Sequence, residues 1–302
     1  MPARGGSAGS LKPFERNFFW TLRVLMDSLD LRNCAVLLDV DGTIVDIAPT
    51  PHSVVVTDEL LGVLERIRET AGGALALVSG RPIADLDLLF EPLRLAAIGG
   101  HGAEIRFDPV KSEYEQRGLT LERDMKQALL EIADRYAGVA TEDKGFSVAL
   151  HYRLALERGL DVVNDVVRLC ARYVPGTYEI LQGKAVIEVK TVGFNKGTAV
   201  RELMACPPFA GRIPVFLGDD VTDETVFAVI PEYAGISISV GRMVPGADAM
   251  FHTPADVRKW LTRLSATATR LDTTTTRDNV GPPLLGARRP FKSPRRRSRT
   301  AA

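Results

Sequence analysis

The chain has few of the residues that hold small extracellular or metal-binding domains together. Its 302 residues include only three cysteines, Cys34, Cys170 and Cys206, and no two of them form a CxxC pair. An odd number of scattered cysteines argues against a disulfide framework and against a zinc site, and it favours a reducing compartment. Long apolar stretches are also missing, so the sequence predicts no membrane span.

An excess of charge of one sign is missing as well. Lys plus Arg equals Asp plus Glu at 38 each, so the whole chain gives no sign of a polyanion-binding protein. The N-terminal residues lack the apolar core of a secretory signal, and we expect a cytoplasmic protein. The end of the chain differs, because residues 286–302 carry seven basic residues and no acidic one. We expect a disordered basic tail over 265–302, and a solvated extension is favoured over a contact with nucleic acid.

Two separated parts of the chain share one pattern, in which apolar runs of strand length alternate with amphipathic helices. This pattern is typical of a parallel sheet covered on both faces. An amphipathic helix is predicted ahead of it, at 14–31, within an N-terminal extension over 1–31. The predicted strands are 34–40, 73–79, 94–100, 213–219 and 235–240, and the predicted helices include 57–70, 82–90 and 253–264.

The middle of the chain follows a different pattern, with polar and apolar residues alternating along predicted strands at 142–153 and 177–190. Such alternation is typical of antiparallel strands with one solvated face. Because this block interrupts the α/β pattern, we interpret it as an inserted domain. The predicted fold class is therefore α/β: a Rossmann-like parallel sheet core over 32–107 and 190–264, with an inserted α+β domain over 108–189.

Polar side chains stand at four boundaries of the predicted core elements. In an open parallel sheet, ligands gather outside the carboxyl ends of the strands, so these side chains should meet there. The four groups are Asp39-x-Asp41-Gly42-Thr43, Ser79-Gly80-Arg81, Asn195-Lys196 and Gly218-Asp219-Asp220-x-x-Asp223.

Clustered aspartates suit a hard divalent cation such as Mg²⁺, and a lysine beside a serine suits the oxygens of a phosphoryl group. A carboxylate that the metal does not need could attack phosphorus. The GxxxxGK[ST] loop of nucleotide-binding proteins is absent. Two readings stay open: Arg81 is either a phosphate contact or a surface ion pair, and Asp223 is either near the metal or a helix N-cap.

The four groups resemble the signature motifs of the haloacid dehalogenase (HAD) superfamily, and the inserted domain resembles the C2-type cap of that superfamily. A closer resemblance, to the trehalose-6-phosphate phosphatases, runs from about Cys34 to Leu264. It rests on the segments "VSGRP", "GGHGAEI", "EDKGFSVALHYR", "GKAVIEVKTVGFNKG" and "PVFLGDDVTDETVFAV".

This resemblance implies a Mg²⁺-dependent hydrolase that converts trehalose 6-phosphate to trehalose and phosphate, the last step of trehalose biosynthesis. Asp39 would be the nucleophile that forms an aspartyl-phosphate, and Asp41 the general acid and then the general base, held in place by Thr43. The resemblance further implies a phosphate site formed by Ser79, Gly80, Lys196 and Thr43, and a metal site formed by Asp39, the Asp41 main-chain carbonyl and Asp219, with Asp220 and Asp223 as direct or water-mediated ligands.

The sugar would be held by the cap. The resemblance implies sugar contacts from Glu142, Arg153, Lys184 and Glu188, with His101 of the core beside them; the cap strands also carry Lys144 and His151. Without the resemblance, these residues would be interpreted as the solvated side of the cap sheet. The alternatives are another capped HAD sugar phosphatase, acting on sucrose phosphate or mannosyl-phosphoglycerate, and a non-catalytic sugar-phosphate sensor.

Overall fold

The computed structural model describes residues 29–48, 53–111 and 113–277, with the backbone alone described for 267–277. The predicted helix at 14–31 lies outside these residues up to position 28, and so does the basic segment after position 277. Within the described part of the chain, no helix combines the length and the apolar character that a membrane crossing requires.

An eight-stranded sheet forms the core, in the order β12-β11-β10-β1-β2-β3-β4-β5. Its neighbours from β12 to β3 are parallel, whereas β4 and β5 are added antiparallel at one edge. The strands are β1 (Cys34–Leu38), β2 (Leu75–Val78), β3 (Ala96–Gly99), β4 (Glu104–Arg106), β5 (Glu115–Gln116), β10 (Ile213–Gly218), β11 (Ile236–Val240) and β12 (Ala249–Phe251). The predicted α/β fold class is confirmed.

Helices cover both faces of this sheet, and the central strand β1 shows why. Val36 and Leu38 belong to one buried cluster and Ala35 and Leu37 to another, because successive strand residues point to opposite faces. The first cluster contains residues of α1 and α2, together with Trp260 of the last helix, α7. The core helices are α1 (Asp58–Thr70), α2 (Ile83–Leu89), α5 (Lys196–Met204), α6 (Glu224–Phe227) and α7 (Pro254–Arg277).

The cap is a separate four-stranded antiparallel sheet, in the order β6-β7-β9-β8, and two helices pack on it around a third apolar cluster. Its elements are α3 (Arg123–Asp134), β6 (Ala140–Asp143), β7 (Ser147–His151), α4 (Gly159–Cys170), β8 (Tyr178–Gly183) and β9 (Val186–Thr191). They lie in the chain between β5 and α5, so the sequence of the core is interrupted where an insertion was expected.

Three details differ from the prediction. The strand pattern at 142–153 is a hairpin, because Gly145 has a φ of 85° and turns the chain between β6 and β7. Strand β5 pairs with core strand β4, so residues up to 116 belong to the core sheet, eight residues beyond the predicted start of the cap at 108. The last helix continues to Arg277 rather than ending at 264, since no glycine or proline follows until Gly281.

Candidate active site

Asp39 stands immediately after the central strand, at the carboxyl edge of the sheet. Its main-chain N–H donates to Leu217 O of the neighbouring strand at 2.9 Å, which fixes the backbone there. The side chain is buried, with 4% of the residue exposed, yet both carboxylate oxygens are occupied. Lys196 Nζ donates to Oδ1 at 2.8 Å and Thr43 Oγ1 donates to Oδ2 at 2.9 Å. The expectation that Thr43 holds Asp41 is therefore wrong, because its hydroxyl turns back toward Asp39, four residues earlier.

Lys196 is the first residue of α5, and the sequence around it fixes the start of that helix. The Asn195 side chain accepts from Thr198 N at 2.8 Å, and the Thr198 hydroxyl bonds to the Asn195 backbone in return, which is a capping box. From this position Lys196 Nζ also donates to Asp223 Oδ1 at 2.6 Å. Burial alone would lower the pKa of Lys196, but the carboxylates of Asp223 and Asp39 raise it, so the ammonium stays charged.

Three buried aspartates, Asp39, Asp219 and Asp223, bring a carboxylate oxygen each to within 4.8 Å of one another. Burial, with repulsion from Asp223, raises the pKa of Asp39 to about 7, and burial with repulsion from Asp39 raises that of Asp219 to about 6. Burial also raises the pKa of Asp223. Burial and mutual repulsion therefore both oppose full ionisation of the three carboxyls.

A divalent cation fits this cluster. All donors are oxygens, and Asp219 Oδ1 is buried without a hydrogen-bond partner among the described residues. The backbone also makes room for the Asp219 carboxylate, because Gly42 has a φ of 84° and an added Cβ there would overlap Asp219. Asp39, Asp219 and Asp223 are the residues that would hold the ion.

The two remaining metal candidates are placed differently. Asp220 lies outside the cluster, and its Oδ1 accepts from Val221 N at 2.8 Å as the cap of a short 3-10 turn. Asp223 does not cap the helix that follows it. Its Oδ2 instead accepts from the main-chain N–H groups of Asp219 and Asp220, each at 3.0 Å, which aims its other oxygen at Lys196.

Asp41 and the Ser79-Gly80-Arg81 segment meet beside Asp39. Arg81 Nε and Nη2 donate to the two Asp41 oxygens at 2.6 and 2.7 Å. Arg81 thus forms an ion pair, but with 11% of its side chain exposed the pair is not on the surface, and a contact of Arg81 with phosphate stays a prediction. Ser79 is buried, and its Oγ accepts from Arg81 N at 3.1 Å. An added Cβ at Gly80 would overlap the His101 ring, so a larger residue at this position would displace the histidine.

The cap contributes a buried ionic cluster around Glu188 of β9. Ser147 Oγ donates to Glu188 Oε1 at 2.6 Å, and Lys144 Nζ donates to Oε2 at 2.8 Å. His101 of the core approaches the same oxygen at 3.4 Å, so the cluster spans core and cap. Burial opposes ionisation, but Lys144 and His101 hold the pKa of Glu188 well below its usual range. Burial lowers the pKa of His101 itself.

The other predicted sugar residues lie around the same cleft. Glu142 Oε2 pairs with His151 Nε2 at 2.9 Å, and a guanidinium nitrogen of Arg153 donates to the main-chain oxygen of Ala48 in the core. Lys184 reaches out of the cap to the buried cluster, where its Nζ donates to Asp219 Oδ2 at 2.9 Å.

One cleft between core and cap therefore brings together the predicted catalytic, phosphate, metal and sugar residues, with Thr43 and Asp223 just behind its wall. Arg81, Lys144 and His151 also line it. In the sequence, Arg81 is a cation that follows Ser79-Gly80, while Lys144 and His151 lie on the same strand faces as Glu142 and Arg153. Neither pattern distinguishes a binding site from a solvated surface.

A buried carboxylate after the central parallel strand, held by a lysine and faced by an inserted cap, forms the centre of the site. The chain shares its fold with a Bacteroides thetaiotaomicron phosphatase of the haloalkanoate (HAD) superfamily, which superposes with a TM-score of 0.51 at 14% identity over 74% of this chain and 91% of that chain. A model of the trehalose-phosphatase family matches residues 37–250, and the chain belongs to that family. The prediction that the chain is a phosphatase enzyme of this family is confirmed.

Two relatives support this assignment, and one solved structure supports the fold. A Sinorhizobium fredii protein named probable trehalose-phosphate phosphatase is 40% identical over 76% of this chain and 85% of its own length. The trehalose-6-phosphate phosphatase of Escherichia coli is 38% identical over 75% of this chain and 85% of its own. The C-terminal domain of the C. albicans trehalose-6-phosphate phosphatase superposes with a TM-score of 0.72, at 21% identity, over 81% of this chain and 96% of that domain, and it supports the fold.

Proposed function

We propose that the chain hydrolyses trehalose 6-phosphate to trehalose and phosphate, through an aspartyl-phosphate on Asp39 and with the help of Mg²⁺. The relatives named for this activity cover most of the chain at 38% and 40% identity. The observation that carries the chemistry is the buried Asp39 carboxylate at the floor of a cleft, with Lys196 on one oxygen and Thr43 on the other. A sensor that only binds sugar phosphate would have no use for a carboxylate placed in this way.

In the first half of the proposed reaction, Ser79 and Lys196 bind the phosphoryl oxygens. An Asp39 oxygen attacks phosphorus as the bond from phosphorus to the sugar oxygen breaks, and Asp41 gives its proton to the departing oxygen. The products are free trehalose and the phosphorylated Asp39. A bound Mg²⁺ would offset the negative charge of the phosphoryl group and of the aspartates that hold it.

In the second half, Asp41 acts as the base. Its carboxylate takes a proton from a water molecule whose oxygen attacks phosphorus, and the bond to Asp39 breaks. Phosphate leaves, Asp39 is again a carboxylate and Asp41 again carries the proton, so the cycle closes. Asp41 suits this double role because its side chain is 36% exposed, whereas Asp39 is enclosed.

The cap residues would recognise the sugar. Four charged side chains line the cleft, those of Glu142, Arg153, Lys184 and Glu188. They offer hydrogen-bond donors and acceptors that can bind several hydroxyl groups of a sugar. Lys184 and Arg153 already contact the core, at Asp219 and Ala48, so the cap sits close enough for both domains to contact one substrate.

The test is phosphate release from a panel of sugar phosphates that includes trehalose 6-phosphate, sucrose 6-phosphate and mannosyl-phosphoglycerate. We expect trehalose 6-phosphate to have the highest kcat/KM, and EDTA to abolish turnover until Mg²⁺ is restored. Asp39→Asn should remove activity, whereas Asp46→Asn, the same change at an exposed residue of the same loop, should keep it.

Each part of the proposal has its own contrary outcome. A better substrate elsewhere in the panel would replace the assigned sugar, and turnover by Asp39→Asn would refute the covalent step. Binding of sugar phosphate by the intact chain without any release of phosphate would support the sensor instead.

A further inference from the structure

Arg81 links the Ser79-Gly80-Arg81 segment of the core to the Asp39-x-Asp41 segment. It follows β2 through Ser79 and Gly80, and its backbone is held on both sides, since its N–H donates to Ser79 Oγ at 3.1 Å and its carbonyl accepts from Gly100 N–H at 2.8 Å. The backbone that carries the Arg81 side chain is therefore held in place. Its side chain is 11% exposed although it is a long cation at the rim of a cleft.

The fork of this guanidinium grips both oxygens of Asp41, at 2.6 and 2.7 Å. Two parallel hydrogen bonds between an arginine and a carboxylate fix the plane of the carboxylate as well as its position. Among the described residues, no other side chain donates a hydrogen bond to Asp41, which is more exposed than Asp39. The direction of its carboxylate therefore depends on Arg81.

We propose that Arg81 is a positioning residue for the reaction, which aligns the Asp41 carboxyl with the leaving sugar oxygen and then with the attacking water. The inference rests on the proposed role of Asp41 as general acid and base. A group in that role must reach its partner at about 2.6–3.2 Å, and a displacement of about 1 Å costs about a hundredfold in rate. Without the two hydrogen bonds from Arg81, the partly exposed Asp41 carboxylate would sample several orientations. Few of them would direct it at the leaving oxygen or at the attacking water.

The competing role is direct binding of the phosphoryl group. Arg81 follows Ser79, and arginine is a common partner of phosphate. In the described structure, however, two of the guanidinium donors are committed to Asp41. The two roles differ in what they couple to: a positioning residue acts only when Asp41 is present, whereas a phosphate ligand acts whether or not Asp41 is there.

A double-mutant cycle separates the roles. It uses the full chain as wild type, Arg81→Met, Asp41→Asn and the double variant, with kcat and KM measured at saturating Mg²⁺ on the best substrate of the panel. The inhibition constant of inorganic phosphate is measured on all four. Arg81→Lys tests the fork, because an ammonium cannot make two parallel bonds. Arg94→Met is the matched control, since that arginine pairs with Asp87 at the surface.

Asp41→Asn should lower kcat by about 10²–10⁴. Arg81→Met should lower kcat by about 10–100-fold, with KM and the phosphate inhibition constant within about threefold of wild type. In the Asp41→Asn background the same change should cost less than about twofold, because the group it aligns is gone. Arg81→Lys should regain part of the loss, and Arg94→Met should match wild type.

Equal losses in both backgrounds, with weaker inhibition by phosphate, would overturn the inference and make Arg81 a phosphate ligand. A fully active Arg81→Met would make the pair structural only. Thermal melting of each variant excludes unfolding as the cause. A wild type that releases no phosphate, or a fully active Asp41→Asn, would refute the proposed function instead, so the two failures are distinguishable.

Discussion

The affinity for Mg²⁺ should fall steeply when the pH drops from about 7.5 to about 5.5, because protons compete with the ion for the aspartate cluster. Burial and repulsion from Asp223 raise the pKa of Asp39 to about 7, and burial and repulsion from Asp39 raise that of Asp219 to about 6. Both groups therefore titrate inside this interval in the metal-free protein. Lys196 stays charged throughout, since its pKa is raised.

The size of the effect follows from these two values. At about pH 7.5 about three quarters of Asp39 and nearly all of Asp219 are ionised, whereas at about pH 5.5 the fractions are about 3% and about 25%. With the two carboxyls treated as independent sites, the share of molecules with both ionised falls by about 100-fold, which is about 2.7 kcal/mol of binding free energy.

The stability of the metal-free protein should have the opposite pH dependence. Each of these carboxyls binds its proton more tightly in the folded than in the unfolded chain, so its contribution to stability is complete below about pH 4 and is lost as the pH rises toward about 7. Mg²⁺ removes that loss by binding the ionised folded form. The increase in Tm caused by Mg²⁺ should therefore be larger at about pH 7.5 than at about pH 5.5.

Isothermal titration of EDTA-treated protein with Mg²⁺ at the two pH values gives the result directly. Asp219→Asn should remove most of the binding, whereas Asp220→Asn, its neighbour outside the cluster, should change the affinity and its pH dependence only slightly, since the Asp220 charge contributes less to the raised pKa of Asp219 than burial and Asp39 do. A change in affinity below about threefold would refute the reasoning, since it would mean that protons and Mg²⁺ do not share these carboxylates.

Two further predictions concern the walls of the site. Gly42→Ala should weaken Mg²⁺ binding and lower kcat by at least about tenfold each, because the added Cβ overlaps Asp219. Gly176 has a similar φ but open space around it, so Gly176→Ala is the control. It should lower the free energy of unfolding in urea by only the backbone cost of about 1–2 kcal/mol. Glu188→Gln should raise KM and destabilise the fold by about 3–5 kcal/mol at neutral pH, because it leaves the Lys144 ammonium buried without its counter-charge. The difference in stability between Glu188→Gln and the wild type should vanish as the pH falls through the depressed pKa of Glu188, because the wild type then also loses this charge. Equal stability of the two proteins at neutral pH would contradict the prediction.

The core of the fold and the carboxylate at its edge could be predicted because they depend on local patterns. A run of five buried residues in β1 must lie inside a sheet, and the residue after it must lie at the carboxyl edge, whatever the rest of the chain does. Asn195 capping the helix that begins with Lys196 is equally local. These patterns placed Asp39, Lys196 and Asp219 near one another before any contact was known.

Contacts between distant segments could not be predicted in this way. Strands β5 and β12 have two and three residues, too few to show a period. The sequence therefore predicted no strand at 249–251, and it placed the start of the cap at 108, ahead of β5. The bond from Lys184 to Asp219 joins a cap turn to the residue that follows core strand β10, and it depends on how the two domains meet. No spacing in the sequence encodes that geometry.

The two aspartates of Asp39-x-Asp41 show where local reasoning ends. Their spacing suggests two carboxylates that repel each other and need a common counter-charge, but in the structure each one has its own cationic partner. Asp39 directly follows a buried strand and is held by Lys196 and Thr43, while Asp41 lies where the chain leaves the sheet and is held by Arg81, forty residues along the chain. Because each carboxylate has its own cation, one stays enclosed, as the proposed attack requires, and the other stays open, as the proposed proton exchange requires. In the proposed reaction, the division of labour between the neighbouring aspartates thus depends on two cations from distant parts of the chain, Lys196 at the start of α5 and Arg81 between β2 and α2.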